Sequence, residues 1–152
     1  MPTTASSATI TRRTGIARRA AALGAIALGV MLLTGCLSEQ GQQLFDLTNQ
    51  ERTSRGIHAL ANDADLNTTA QAWADHLAAT GKLAHSQLRV PAGSTVVAEN
   101  VGYAGSIEQV HQALMNSAGH RQNILDRRMT RIGSGTNIDG QGRVWIVELF
   151  AN

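Results

Sequence analysis

The sequence SAGHRQNIL, at residues 117–125, decides how the rest of the chain is interpreted. Gly119 carries no Cβ, so the backbone can close a tight turn there. His120 follows at once, and Ile124 and Leu125 can anchor a short helical turn in a core. The pattern predicts a histidine that is held in place between a glycine turn and an apolar anchor.

Two other short motifs accompany this stretch and point to the same family. They are His85-Ser86 and Ala98-Glu99-Asn100. In this order, followed by Gly-His-Arg-x-Asn-Ile-Leu, the motifs resemble the CAP superfamily. That superfamily comprises the cysteine-rich secretory proteins, antigen 5 and the plant pathogenesis-related 1 proteins, with many small bacterial members. The resemblance covers residues 42–152.

The chain begins like an exported bacterial lipoprotein. A basic segment precedes an apolar run of about fourteen residues, Ala20–Leu33, which is short for a membrane span and typical of a signal peptide. The run ends in Leu-Thr-Gly-Cys, which resembles a lipobox, whose cysteine receives a diacylglyceryl group and becomes the new N-terminus. We predict a signal peptide at 1–35, a lipidated Cys36 with a tether at 36–41, and one CAP domain at 42–152. The alternative is an ordinary signal peptide followed by a stray cysteine.

The cysteine count decides whether disulfides can form, and the net charge bears on the kind of partner. Cys36 is the only cysteine, so no disulfide can form within the chain, although many secreted relatives rely on disulfides. The formal net charge of +2 includes four arginines in the leader. Without them, nine basic residues face eleven acidic ones, so a nucleic-acid partner is not expected.

Three segments carry apolar residues at helical spacing. The first spans 42–54 and is stopped by Gly56, and the third begins at a capping box formed by Ser106 and Gln109. Asn62-Asp63 and Gly81 have the residue types that begin and end the second helix. The apolar positions of that second helix are Leu66, Ala70, Trp73, Ala74, Leu77 and Ala78.

The C-terminal third changes to the alternation of strands. An extended segment at 96–101 precedes it, and a turn at 139–142 separates two strands. The last strand, 143–151, is apolar on both faces, with Trp145, Val147 and Leu149 on one and Val144, Ile146 and Phe150 on the other. Such a strand needs a packed layer on each side. We therefore predict an α+β fold, a three-layer α-β-α sandwich with a small, mainly antiparallel sheet between helices, which the resemblance also implies.

The resemblance implies a cleft lined by two histidines and two acidic residues. His85 matches the first histidine of this tetrad, Glu99 the first glutamate and His120 the second histidine. The second acid falls at Ser117 in this chain, so the tetrad is reduced to three. Imidazoles with a carboxylate favour zinc, and three ligands would leave an open coordination position. The sequence thus predicts a metal site at His85, Glu99 and His120.

Glu148 is a further candidate, in the last strand where family members commonly carry glutamine. A carboxylate among apolar residues is costly unless it has a partner. We expect an ion pair with Arg121, Arg127, Arg128 or Arg131, with a role in the cleft as the alternative.

Three functional interpretations follow, because a fold does not dictate an activity. The first is a lipid-anchored extracytoplasmic binding module on the bacterial membrane, whose cleft holds a metal, a small ligand, a lipid or a protein partner. The second is a zinc-dependent hydrolase of peptides or envelope polymers, with Glu99 as the catalytic base. The third is a non-catalytic scaffold. The missing second acid argues against the hydrolase, and the intact His-Glu-His set argues against the scaffold.

Overall fold

A computed structural model of the protein describes residues 37–89, 91–95 and 97–152. The predicted signal peptide and Cys36 lie outside the described residues. The described elements are α1 (Glu39–Ser54), β1 (Ala61–Asn62), α2 (Ala64–Thr80), β2 (Val97–Ala104), α3 (Ile107–Asn116), α4 (Ala118–Leu125), β3 (Arg131–Ile138) and β4 (Val144–Ala151).

The strands form one mixed sheet in the order β1-β3-β4-β2. β3 and β2 pair antiparallel with the two sides of β4, and the two-residue β1 pairs parallel with β3. α2 packs on one face, and α1, α3 and α4 pack on the other. The predicted three-layer sandwich is confirmed, and β1 is the one described strand that the sequence pattern did not indicate.

β4 is buried along its whole length, because it lies between β3 and β2 and is covered on both faces. Val144, Ile146 and Phe150 belong to the core beneath α1, α3 and α4. Trp145, Val147 and Leu149 belong to the core beneath α2. The two apolar faces predicted from alternation are therefore the two faces that the structure shows.

α2 lies directly against β3, and glycine makes this approach possible. A Cβ on Gly133 would lie 2.2 Å from the carbonyl carbon of Leu66, and one on Gly135 would lie 2.2 Å from that of Ala70. Side-chain amides of α2 also bond the side of β3 that β1 leaves unpaired. Gln71 accepts from the backbone N–H of Thr136 (3.1 Å) and donates to its carbonyl (2.7 Å).

A buried arginine ties α1 to the loop before β3. The guanidinium of Arg52 donates to the carbonyls of Ile124 (2.8 Å), Asp126 (2.9 Å) and Met129 (3.2 Å). Burial lowers the pKa of Arg52, and the nearby carboxylate of Asp126 opposes this shift. These bonds satisfy carbonyls at the C-terminal end of α4 and in the loop that follows it.

Several element ends differ from the predicted ones. α1 begins at Glu39, earlier than predicted, because the hydroxyl of Ser38 caps it by accepting from the N–H of Gly41. β2 continues past Gly102 to Ala104, because each of its residues has a partner in β4. Gly119 lies inside α4 with helical backbone, so the predicted glycine turn before His120 is wrong.

The caps of two helices follow the predicted chemistry. Asp63 accepts from the N–H groups at the start of α2, and Gly81 ends that helix in the left-handed conformation. Ser106 caps α3, whereas the side chain of Gln109 reaches back to the N–H of Gly105.

Within the described ranges, we find no helix with the length and hydropathy that a membrane crossing requires.

Candidate functional site

The first part of the candidate site is a hydrogen bond between Glu99 and His85. Glu99 lies on β2, and its Oε1 accepts from Nδ1 of His85 (2.7 Å) and from the backbone N–H of Ser86 (2.9 Å). The Glu99 side chain is 1% exposed and the His85 side chain 60% exposed. A carboxylate can only accept, so Nδ1 carries the proton. In the neutral ring, the lone pair of His85 is then on Nε2, the nitrogen that Glu99 leaves free.

The second part is the first turn of α4, which carries His120. The next residue of β2, Asn100, donates from Nδ2 to the backbone carbonyl of His120 (3.3 Å). Asn123 of α4 donates to Oδ1 of Asn100 (2.9 Å) and to the carbonyl of Glu99 (3.4 Å). Neighbouring residues of one strand thus hold the two segments that carry the histidines.

The two histidines influence one another across this edge of the sheet. β2 is an outer strand, so the loop bearing His85 and the helix bearing His120 can both reach its open side. Burial lowers the pKa of the half-buried His120, and the charge of His85 lowers it further. Two of the predicted site residues are therefore near enough to interact electrostatically.

The carboxylate of Glu99 is almost inaccessible to solvent, and one of its oxygens is already hydrogen-bonded. Its Oε1 is used by His85 and Ser86, and its Oε2 is buried without a hydrogen-bond partner among the described residues. In the same part of the chain, no group of three or more His, Cys, Asp or Glu side chains is arranged to hold a metal ion. Of the three predicted residues, His85 is exposed, His120 is half-buried and Glu99 is buried.

Glu148 has none of its predicted arginine partners and no place in the open cleft. It is fully buried on β4, and its carboxyl accepts from the hydroxyl of Thr48 and from Nδ2 of Asn100 (3.0 Å). Burial raises its pKa, and these two hydrogen bonds oppose the shift. The predicted ion pair is wrong because the four arginines bond elsewhere. Arg121 donates to the carbonyl of Met115, and Arg127 donates to the carbonyl of Gly56. Arg128 pairs with Asp126, and Arg131 pairs with Asp63.

The sequence did not indicate that Asn100 links Glu148 to the segment that carries His120. Asn100 donates to the carbonyl of His120 in α4, and Asn123 donates to the carbonyl of Glu99 in β2. The contact of Asn100 with Glu148 was missed, because the two residues are far apart in sequence and meet only through strand pairing. A buried acid among apolar residues was the available signal, since it requires a polar partner.

A cavity of about 780 Å³ lies beside the site, between α2 and the loop that follows it. Its walls are largely apolar and include Leu66, Trp73, Leu88 and Leu149. Ser86, the neighbour of His85, belongs to the same lining. Trp73 is half-buried: it packs against the core beneath α2 and also lines the cavity, and its indole N–H donates to the carbonyl of Ala84 (3.0 Å).

Comparison with known proteins identifies the family. The sequence profile of the cysteine-rich secretory protein family (CAP) matches residues 45–150. The chain therefore belongs to the cysteine-rich secretory protein family, as its three motifs predicted. Compared by sequence with curated proteins, it has no significant match.

Solved structures share the fold at low sequence identity. An outer surface protein of Borrelia burgdorferi is 17% identical with a TM-score of 0.68, covering 77% of this chain and 95% of that one. An extracellular protein of Bacillus anthracis containing an SCP domain is 23% identical with a TM-score of 0.64, covering 74% of this chain. The match spans only 40% of that longer protein. The structure of NaASP2 with Zn²⁺ is 16% identical with a TM-score of 0.56, covering 75% of this chain and 80% of that one.

Proposed function

We propose that this protein is an extracytoplasmic binding module, held to the bacterial membrane by a lipid on Cys36, whose cleft binds a divalent transition metal ion through His85 and His120. The observation that carries the proposal is the 2.7 Å bond from His85 to the buried carboxylate of Glu99. Metal-binding histidines commonly donate their second ring nitrogen to a carboxylate, which fixes the tautomer and orients the ring. His85 has this arrangement, with its Nε2 free.

His120 supplies the second imidazole of the proposed site. His85 lowers the pKa of His120, so the two imidazoles are near enough to interact electrostatically. Imidazole donors suit zinc, copper and nickel. Two protein ligands leave the remaining coordination positions for water or for a group of a bound partner, so we expect a weaker site than a four-ligand structural one. The solved relative NaASP2 was crystallised with Zn²⁺, which is consistent with this chemistry on the same fold.

The position of Glu99 favours binding over hydrolysis. A general base must reach the proton that it removes, directly or through one water. Oε1 of Glu99 is occupied by two N–H donors, and Oε2 is buried. In the proposed site, Glu99 therefore orients His85. No described carboxylate then acts as the catalytic base that the hydrolase interpretation assigned to Glu99.

The proposed location rests on the leader and on the relatives. The basic segment, apolar run and Leu-Thr-Gly-Cys sequence are those of a lipoprotein signal. Two structural relatives are described as an outer surface protein and an extracellular protein. Globomycin, which blocks lipoprotein signal cleavage, should leave the wild-type precursor unprocessed. A Cys36→Ala protein that is cleaved normally and stays in the membrane fraction would contradict the anchor.

Calorimetric titration of the detergent-solubilised mature protein with ZnCl₂ tests the metal site. We expect one site, and we expect His85→Ala or His120→Ala to abolish it. His76→Ala is the matched control, because His76 is an exposed histidine that stacks on Trp73 and is not a proposed ligand. Glu99→Gln should weaken binding about tenfold, in the range for a residue that orients a ligand. Wild-type affinity in either the His85 or the His120 variant would refute the proposal.

A further inference from the structure

Asn100 is the residue through which the buried core and the candidate site are connected. It is fully buried on β2, and its amide makes three contacts with two other elements. Nδ2 donates to Oε2 of Glu148 (3.0 Å) and to the carbonyl of His120 (3.3 Å), while Oδ1 accepts from Asn123 (2.9 Å). One side chain thus fixes two positions of α4 relative to β2 and β4.

Glu148 determines which way the amide of Asn100 faces. The two residues are directly opposite each other in the pairing of β2 with β4. Oε2 of Glu148 accepts, so the NH₂ end of the amide must face it and the oxygen end is left for Asn123. The reversed amide would place an oxygen against Oε2 and lose the donor to His120. The hydroxyl of Thr48 holds the other oxygen of Glu148 from α1.

α4 depends on these bonds because few other contacts fix its first turn. Its N-cap residue, Ser117, makes no side-chain capping bond, and Ile124 is the one residue of the helix that is fully buried. A Cβ at Gly119, directly before His120, would meet nothing within 4 Å. Packing alone therefore leaves the position of His120 weakly determined.

We propose that Asn100 is the positioning residue of the cleft: it sets where His120 lies relative to the Glu99–His85 pair, and Glu148 acts by fixing the orientation of the Asn100 amide. The use of this geometry for a metal ion rests on the proposed function. The positioning itself does not, since it follows from contacts within the protein.

Variants of Glu148 separate positioning from simple packing. In Glu148→Gln, the side-chain oxygen can still accept from Asn100 while its NH₂ group donates to Thr48. Glu148→Leu fills a similar volume but offers no acceptor to Asn100. Thr48→Val is the matched control, because it removes the contact on the far side of Glu148 and leaves the Asn100 amide in place. If Glu148→Leu does not fold, Asn123→Ala, at a half-buried position, tests the Oδ1 end of the Asn100 amide instead.

The readouts are zinc affinity by calorimetry and the number of imidazole nitrogens on Cu²⁺ by electron paramagnetic resonance. Wild type, Glu148→Gln and Thr48→Val should show two nitrogens and zinc affinities within about twofold of one another. Glu148→Leu and Asn123→Ala should show one nitrogen and about tenfold weaker zinc binding, as for other residues that orient a ligand. Two nitrogens and unchanged affinity in both of these variants would overturn the proposal.

A failure of the metal site is distinguishable from a failure of the positioning. If the wild type binds neither ion, the proposed function is wrong, and NMR of the metal-free protein decides the positioning. The ring-proton shifts of His120 should then match wild type in Glu148→Gln and Thr48→Val and be displaced in Glu148→Leu and Asn123→Ala. Unchanged His120 shifts in these last two variants would show that Asn100 has no positioning role.

Discussion

The two faces of the sheet are held to their helices by different contacts. On the α2 face, Gly133 and Gly135 let the backbone of the helix lie directly on β3. On the face of α1, α3 and α4, polar groups are buried among the apolar ones. They are Thr48, Arg52, Asn100, His111, Ser134, Thr136 and Glu148, while Asn67 and Glu99 are buried on the α2 side.

Because of this difference, contacts on the α2 face mainly fix the fold, whereas contacts on the other face orient groups of the candidate site. Close backbone contact leaves no space for an added atom, so the α2 face tolerates little change in volume. Directional hydrogen bonds instead orient particular groups, and they are costly when one partner is missing. The groups that hold His120 belong to this second face, so substitutions there can alter the site while the sandwich is kept.

The largest expected effect is at the contact between α2 and β3. Gly135→Ala should destabilise the protein by about 3 kcal/mol or more, because its Cβ would lie 2.2 Å from backbone atoms of Ala70. Gly119→Ala is the matched control, since a Cβ there meets nothing and alanine is the better helix former by about 1 kcal/mol. Guanidinium denaturation of both variants measures the difference. Similar stabilities for the two would contradict the close approach of α2.

The next effect is at the buried guanidinium of the opposite face. Arg52→Met should cost about 2–3 kcal/mol in free energy of unfolding, because the carbonyls of Ile124, Asp126 and Met129 lose their charged donor inside the protein. Arg55→Met, at the exposed C-cap position of α1, should cost less than about 1 kcal/mol. Urea titrations compare the two, and an equal loss would mean that the Arg52 bonds contribute little.

The smallest effect is a pH dependence that arises from His111. This residue is buried on α3, and neither ring nitrogen has a hydrogen-bond partner among the described residues. Burial lowers its pKa below the ordinary value of 6.5, and the charge of Glu51 on α1 offsets only part of that shift. Protonation therefore favours the unfolded chain, so His111 reduces stability as the pH falls below about 6.5.

Replacing His111 should flatten this dependence. His111→Leu should unfold with a free energy that changes less between pH 8 and pH 5 than that of the wild type, measured by urea titration at each pH. At pH 8 its stability should lie within about 1 kcal/mol of the wild type, because an apolar group replaces unpaired polar atoms. The exposed His76 supplies the control, and His76→Leu should keep the wild-type slope. An unchanged slope in His111→Leu would contradict a buried neutral histidine.

Much of the fold could be predicted because local pattern determines which face of an element is buried. Alternation in β4 indicated both cores, and helical spacing with Asp63 and Gly81 as caps indicated α2 almost to the residue. Gly119 was misinterpreted for the same reason. Glycine permits a turn but does not require one, and the bonding of α4 to its surroundings decides its conformation.

The sequence by itself determined the family, the layers of the sandwich and the three segments that bear His85, Glu99 and His120. Only the tertiary structure decided the partners of the buried polar groups. Thr48 and Asn100 meet Glu148, and Arg52 meets the loop after α4, across long separations in the chain. Such partners depend on strand register and helix placement, which are properties of the whole fold. A buried carboxylate indicates from sequence that it needs a donor, but any donor that the fold brings within hydrogen-bond distance can satisfy it.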